Sequence, residues 1–469
     1  MWPWLKRMLA APVASRAAAG LPVVSVRRPP PPASTSSRAP NPGSALAPPT
    51  RVPLVAPEVA AAVAEAAESV PGFGPRRPLV GRQGQVAGFE LRLAPGAERF
   101  LASRGNTPGA AAHHAGLLAT AAAVATSGRA ALVRVPAAML ARPKVADVAS
   151  AGTWLLLDDL AAVPADAAAA LRNRNVRLGV ADGPPTAAAA ADFVVVQCGA
   201  GGIDTLLLSA QRWRELLPRV AIVGLGFDHL EDMEAALRGG VTLAGGQLGR
   251  SRDAPPPKPL GAAAHRICEL LNHLALDRET QVVAEAVRGD AALTYRLLRY
   301  ANSPAIGAKQ GVETVDNAVA LLGRRELQRW LSVQLMLSAG SARQAAKALE
   351  EGALVRGRVL ENIARKLGEP NPGAQFTLGL LSMIEPLLQV PLADAVASLR
   401  LGDDVTAALL QREGPWAVRL HLLDALDAGE SGQADALAVE VGIAAGALTG
   451  IVDDAWGWTA QVREEGSTP

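Results

Sequence analysis

The sequence has few of the residues and segments that disulfide-rich, metal-binding and membrane-spanning proteins need. Its 469 residues include two cysteines, Cys198 and Cys268, too few for a disulfide framework or a thiolate zinc site. No apolar run reaches the roughly 20 residues that a helix needs to cross a bilayer. The formal net charge of +2 neither favours nor excludes a nucleic-acid partner. We therefore expect a cytoplasmic protein without a transmembrane segment.

Proline, alanine, serine and arginine dominate residues 23–57, within a tail rich in proline and alanine at residues 1–75. Such a segment buries too little apolar surface to offset its ordering entropy, so we expect a disordered tail. The two charges at Lys6 and Arg7 follow two tryptophans, whereas a secretory signal peptide places its charges first. A weak membrane-surface contact of residues 1–10 and a plain frayed tail both fit this composition.

From residue 76, short apolar runs alternate with alanine-rich helical stretches, which favours a parallel sheet in an α/β domain. Repeated this often, with a first strand that can form a hairpin, the pattern is typical of a TIM-like barrel. The segment ends near residue 253, before a proline-rich linker at 254–259, and is shorter than the roughly 200 residues at the lower end of the range for that architecture. We therefore expect short helices or a missing unit. The predicted strands are 86–93, 131–135, 153–158, 176–180, 193–197, 219–223 and 241–243.

Residues 290–330 predict three helices in quick succession. Asp290 can cap the first helix, because its carboxylate accepts from the free N–H groups of the first turn. The Asn-Ser-Pro sequence at 302–304 ends that helix, since a residue before proline is pushed out of the helical region. Thr314 begins the second helix, and Gly323 fits the left-handed position that ends it. Helical periodicity continues to about residue 465, so an all-α domain follows the barrel.

The order of these motifs resembles the HDOD domain. Leu-Leu-x-x-x-Asn-Ser-Pro precedes Ala-Val-x-Leu-Leu-Gly-Arg-Arg-Glu-Leu, and a tryptophan follows. The chain is similar in particular to bacterial proteins that join an N-terminal EAL-type domain to a C-terminal HDOD domain. The resemblance implies a helical HDOD domain at 260–465, related to metal-dependent HD phosphohydrolases but without their His-Asp pair. Ser382-Met383 stands in the place of that pair, and the chain contains no His-Asp dipeptide.

The first barrel strand resembles the one that names EAL domains. Gly-Phe-Glu-Leu at 88–91 matches, while Arg92 takes the place of the motif's leucine. Active members hydrolyse cyclic di-GMP with two divalent metals, which carboxylates and an asparagine hold so that both oxygens of the displacement are clamped. By strand order, Ala94 stands where the family has a substrate-contacting arginine, and Arg134 where it has the asparagine.

Three carboxylates near the ends of predicted strands are the vestigial candidates for that metal site: Glu90, Asp158 and Asp182. They do not complete a two-metal set, and Arg134 would repel cations. We therefore expect no catalytic residue, no bound metal and no cofactor. The loss of the arginine contact argues against cyclic di-GMP as a ligand.

The sequence favours a non-catalytic signalling scaffold that acts through protein contacts of the HDOD domain, with partners that it does not identify. A cyclic di-GMP receptor or a residual phosphodiesterase is the alternative. A DNA-binding regulator is a second alternative, because the helices on either side of Gly323 are similar to a helix-turn-helix. Against it, Leu327 and Trp330 predict that the second of those helices is buried. The candidate contact residues are Asn302, Ser303, Arg324, Arg325 and Arg329, which also fit a plain cap and a solvated helix face.

Overall fold

The computed structural model describes residues 72–125, 128–303, 306, 311–338, 343–444 and 446–464. The predictions of a disordered tail and of a membrane contact at residues 1–10 lie outside these residues. Within them, an eight-stranded barrel is followed by a bundle of helices. No described helix is both long enough and apolar enough to cross a membrane.

The eight strands close into a barrel in the order of the sequence. The first strand is antiparallel to both of its neighbours, and all other pairs are parallel. The predicted runs thus form a TIM-like α/β barrel with a hairpin at its start. The strands are β1 (Arg77–Gly81), β2 (Val86–Leu91), β3 (Ala130–Val135), β4 (Thr153–Leu157), β5 (Arg177–Ala181), β6 (Phe193–Gln197), β7 (Ala221–Phe227) and β8 (Leu243–Gly246).

Short helices, rather than a missing unit, account for the small size of the barrel. Three of its helices have only four residues each: Ala137–Leu140, Pro143–Ala146 and Pro185–Ala188. The barrel helices are α1 (Pro95–Arg104), α2 (Pro108–Ala125), α3 (Ala137–Leu140), α4 (Pro143–Ala146), α5 (Ala165–Asn173), α6 (Pro185–Ala188), α7 (Gly202–Leu216) and α8 (Leu230–Arg238), with a 3-10 turn at Leu160–Ala162.

The second part of the chain is entirely helical, as expected. Its helices are α9 (Ala262–Ala275), α10 (Thr280–Arg288), α11 (Ala291–Ala301), α12 (Val315–Leu337), α13 (Ala346–Lys366), α14 (Pro372–Leu381), α15 (Ile384–Leu388), α16 (Leu392–Ala397), α17 (Asp403–Leu410), α18 (Ala417–Ala428), α19 (Ser431–Val441) and α20 (Ala447–Glu464).

The predicted ends of the three-helix unit are confirmed. The Asp290 side chain caps α11 by accepting a hydrogen bond from the Leu293 amide at 3.0 Å. Thr314 caps α12 in the same way. Gly323 has φ 68° and ψ 170°, which breaks α12 where the sequence predicts a boundary between two helices. The positive φ is a conformation that glycine adopts without steric cost.

The barrel and the helical bundle share one hydrophobic core. Helices α13 and α20 of the bundle pack against the outer face of the β1–β2 hairpin. Phe89 of β2 is buried there against Trp456. Beside it, the buried guanidinium of Arg129 pairs with Glu351 of α13 at 2.5 Å.

Polar contacts at the hairpin tip also join the two domains. The carbonyl of Gly84 accepts a hydrogen bond from the Ala348 amide of α13 at 2.8 Å. Glu234 of α8 accepts one from the Ala345 amide, which precedes α13, at 3.0 Å. Arg343 pairs with Glu231 at 3.1 Å and with Glu234 at 3.5 Å. The barrel thus supplies the partners that the first turn of α13 needs.

Candidate functional site

A cavity of about 770 Å³ opens at the carboxyl ends of β2, β3 and β4. Glu90, Arg92, Arg134 and Asp158 contribute its charged groups, together with Glu98 of α1. Barrels of this type place their chemistry at this end, because the loops after the strands converge there. The barrel-mouth cavity is therefore the candidate functional site of the barrel.

Glu90 is held by two arginines. Its Oε2 accepts from Arg77 Nη1 at 3.1 Å, and its Oε1 accepts from Arg92 Nε at 2.7 Å. The residue is 8% exposed, so these charges are poorly screened. Burial lowers the pKa of Arg77, and the attraction of Glu90 opposes that effect. Both carboxylate oxygens of Glu90 are thus committed to partners inside the protein.

Asp158 also has an internal role. Its Oδ1 accepts hydrogen bonds from the Ala137 amide at 2.7 Å and from the Asp159 amide at 3.0 Å. Ala137 is the first residue of α3, so the carboxylate satisfies one of the free N–H groups at that end. Asp158 lines the same cavity as Glu90.

Asp182 lies apart from the other two carboxylates and does not line the barrel-mouth cavity. Its Oδ2 accepts from Ser209 Oγ at 2.5 Å, and its Oδ1 accepts from Arg212 at 2.7 Å and from Trp213 Nε1 at 2.8 Å. All three donors belong to α7, so Asp182 fixes that helix to the end of β5.

The residues around the cavity do not fit a two-metal centre. In the described ranges, no group of three or more histidine, cysteine, aspartate or glutamate side chains is placed to hold a metal ion. Arg134 is exposed at the end of β3 and lines the cavity, where it adds a positive charge beside that of Arg92. His114 adds no charge there at neutral pH, because burial and then the neighbouring His113 lower its pKa.

The sequence predicts that Arg329 lies on a contact surface of the helical domain, but the structure buries it. Arg329 is 5% exposed and pairs with Glu361 of α13 through both carboxylate oxygens, at 3.0 and 3.3 Å. Its guanidinium lies 4.4 Å from the centre of the Phe376 ring. Arg358 and Arg365 also donate to Glu361, each at 2.8 Å. Arg329 therefore belongs to a buried ion cluster.

Two further residues of that predicted surface, Ser303 and Arg324, are buried or are bound to backbone groups of the same domain. Ser303 is 2% exposed, which corrects its assignment to a contact surface. Arg324 donates to the carbonyls of Arg278 at 2.6 Å and Leu274 at 3.1 Å, so it satisfies the free end of α9. With Arg324 and Arg329 committed in this way, the second half of α12 presents few of its basic side chains to DNA.

The remaining two residues of the set, Asn302 and Arg325, are exposed. The Asn302 side chain donates to the carbonyls of Leu298 at 2.9 Å and Val312 at 2.7 Å, and it accepts from the Val312 amide at 2.6 Å. It thus closes the loop between α11 and α12. Arg325 is the residue of the set whose side chain best fits the predicted contact role.

The position that the resemblance assigns to a His-Asp pair belongs to an ion cluster that the sequence analysis missed. Ser382 Oγ accepts from Arg356 Nε at 2.8 Å. The same guanidinium donates to Asp424 at 2.8 Å and Asp427 at 2.5 Å. Burial acts to lower the pKa of Arg356, but these two aspartates outweigh it and the pKa is raised. No local pattern signals this cluster, because about 70 residues separate Arg356 from the aspartates.

Comparison with known proteins supports the predicted domain in the second half of the chain. Residues 259–400 match the model of the HDOD domain, which confirms that prediction. The uncharacterised protein YuxH of Bacillus subtilis is 29% identical over 161 residues, 34% of this chain and 39% of YuxH. The cyclic di-GMP phosphodiesterase CdgJ of Vibrio cholerae is 28% identical over 141 residues, 30% of this chain and 32% of CdgJ. The chain thus matches less than half of the length of each relative.

Solved structures of EAL domains match the N-terminal part of the chain. An EAL domain protein from Listeria monocytogenes is 12% identical, with a TM-score of 0.33, over 40% of this chain and 92% of the other. The EAL domain of FimX from Pseudomonas aeruginosa, bound to cyclic di-GMP, is 10% identical, with a TM-score of 0.31, over 41% of this chain and 95% of the other.

Proposed function

We propose that this chain, in which an HDOD domain follows an EAL-like barrel, is a non-catalytic scaffold in cyclic di-GMP signalling. We place its EAL-like domain at 76–253, its linker at 254–259 and its HDOD domain at 260–465. The scaffold acts in the cytoplasm, where free cysteines such as Cys198 and Cys268 stay reduced.

One observation carries this proposal: the candidate metal-binding carboxylates are already engaged inside the protein, and Asp182 lies outside the cavity that Glu90 and Asp158 share. Glu90 is bound by Arg77 and Arg92, and Asp182 is bound by three donors of α7. A two-metal hydrolysis needs carboxylates free to hold cations about 4 Å apart, on both sides of the scissile bond. Arg92 and Arg134 line the same cavity, and their positive charges oppose the binding of cations beside Glu90 and Asp158.

The decisive assay incubates the purified full-length chain with cyclic di-GMP and either Mg²⁺ or Mn²⁺. Chromatography then follows the appearance of the linear dinucleotide. We expect none above the level of a no-protein control. Metal-dependent product that disappears in a Glu90→Gln variant would overturn the proposal, because Glu90 would then serve the reaction.

A cyclic di-GMP receptor is the second candidate, and the barrel-mouth cavity favours it. The cavity keeps about 770 Å³, apolar walls and two arginines that can pair with phosphate oxygens. Calorimetry with cyclic di-GMP separates the two functions. Saturable heat that Arg134→Ala abolishes would establish a receptor, whereas no heat at high ligand concentration leaves the scaffold.

A further inference from the structure

Seven residues form two chains of ion pairs, one at the barrel-mouth cavity and one in the helical domain, and Arg77 of the first chain packs against Gly429, two residues after Asp427 of the second. We call this set the charge line: Arg92, Glu90, Arg77, Asp427, Arg356, Asp424 and Arg412. In the barrel, Arg92 pairs with Glu90 at 2.7 Å, and Glu90 pairs with Arg77 at 3.1 Å. Charges of opposite sign thus follow one another away from the cavity.

The second half of the charge line lies in the helical domain. Asp427 and Asp424, both on α18, pair with Arg356 of α13 at 2.5 and 2.8 Å. Asp424 also pairs with Arg412, in the loop before α18, at 3.2 Å. One turn of α18 therefore depends on two arginines from other segments.

Arg77 bridges the two halves. In the barrel it forms an ion pair with Glu90 at 3.1 Å. Its side chain also packs against Gly429, just after α18, where a Cβ atom would lie 2.6 Å from the Arg77 Nε. That Nε is buried and has no hydrogen-bond acceptor. Arg77 thus joins an ion pair of the barrel to a packing contact at the end of α18.

Burial makes the pairs of this line sensitive to one another. The side chains of Arg77 and Glu90 are each 11% exposed, and that of Arg356 is 6% exposed. Asp427, Asp424 and Arg412 are 30%, 45% and 37% exposed, so water and salt screen the charges least between Arg77 and Glu90, where a change at one partner acts most strongly on the other. Arg92 differs, because its side chain is 47% exposed and lines the cavity. It is the member of the line that an anion in the cavity can reach.

We propose that the charge line couples the barrel-mouth cavity to α18, so that the helical domain responds to an anion bound at Arg92. An anion that draws Arg92 away leaves Glu90 with Arg77 alone. Arg77 then moves toward Glu90 and away from Gly429, and the last turn of α18 loses this packing contact and loosens. This coupling does not depend on whether the barrel has any catalytic activity.

The test uses the full-length chain and hydrogen exchange read by mass spectrometry. Arg92→Ala imitates the withdrawal of Arg92 from the line, and its exposed side chain makes it a mild substitution for the fold. The matched control is Arg134→Ala, which removes an exposed arginine from the same cavity but not from the line. We expect peptides covering residues 424–430 to exchange about fivefold faster in Arg92→Ala, at the low end of typical couplings between sites. They should be unchanged in the control.

The reverse direction gives a second, independent readout. Arg412→Ala, at the far end of the line, should accelerate exchange in residues 86–93 of the barrel, because coupling between two sites is reciprocal. Equal exchange in the Arg92→Ala and Arg134→Ala proteins would overturn the proposal. Acceleration spread evenly over all helices would also overturn it, since that pattern reports a general loss of stability.

Discussion

Trp456 of α20 meets Phe89 of β2 edge-on, with ring centroids 4.9 Å apart and ring planes at 71°. The two rings belong to different domains, and both are almost fully buried. The guanidinium groups of Arg76 and Arg129 lie 5.3 and 5.4 Å from the centre of the Phe89 ring. The domain boundary is therefore packed like the interior of a single domain.

We predict that Trp456→Ala lowers the free energy of unfolding by about 3–5 kcal/mol, as expected for a large aromatic residue removed from a core. Because the ring contributes to both domains, calorimetry should show one cooperative transition that moves to lower temperature. The exposed Leu208→Ala serves as a control and should stay within about 0.5 kcal/mol of the wild type. Two separate transitions, of which only one moves to lower temperature, would show that the domains unfold independently.

In the described part of the helical domain, Glu361 alone accepts hydrogen bonds from three arginines, Arg329, Arg358 and Arg365. Its side chain is 2% exposed, so Glu361→Gln leaves buried guanidinium groups without a counter-charge. We expect a loss of about 3–5 kcal/mol in the free energy of unfolding, measured by urea denaturation. Arg365→Ala is the matched control. It removes the most exposed of the three arginines and should cost less than about 1 kcal/mol. Equal losses in the two variants would contradict this assignment.

Glu350 predicts a pH dependence of stability. Burial raises the pKa of its carboxyl from 4.5 to about 7, and Lys347 only partly opposes this. The folded state therefore binds a proton more tightly than the unfolded state, so this group's contribution to stability falls as the pH rises from about 4.5 through 7. Glu350→Gln should match the wild type near pH 5 and exceed it by about 2 kcal/mol at pH 8.

Urea titrations of both proteins at pH 5 and pH 8 measure this difference directly. A Glu440→Gln variant, which changes an exposed glutamate, controls for the general effect of removing a negative charge. A Glu350→Gln protein whose advantage is the same at both pH values would contradict the prediction.

Arg325 and Arg329 should separate partner binding from stability. Arg325→Glu changes an exposed side chain, so the melting temperature should stay within about 2 °C while retention of signalling partners from the native host falls. Arg329→Glu places a negative charge beside Glu361 and should unfold the domain. Unchanged retention by a folded Arg325→Glu protein would remove this residue from the contact surface.

Much of the fold follows from local sequence patterns. Buried parallel strands read as short runs of valine, leucine and isoleucine, and seven such runs predict β2 to β8. β1 is harder to recognise because Arg77 and Pro78 begin a five-residue strand. The caps at Asp290 and Thr314 and the break at Gly323 are local effects as well, so the sequence predicts them at the right positions.

The site residues depend on contacts between distant segments, which local patterns do not contain. The spacing of Arg325 and Arg329 suggests one solvated helix face, but Glu361, which is 32 residues away from Arg329, draws the second arginine inside. In the same way, the partners of Glu90 and Asp182 could not be read from strand order. The chemistry of both residues is set by neighbours that the fold brings together.

The tip of the β1–β2 hairpin leaves no space for a side chain between the two domains. At Gly84, φ is +74°, and a Cβ atom there would collide with the Gln344 carbonyl oxygen before α13. Even an alanine at this position would wedge the domains apart. A gene fusion that exchanged either domain for a foreign one would meet the same obstacle, because the new partner would need a matching gap at this contact.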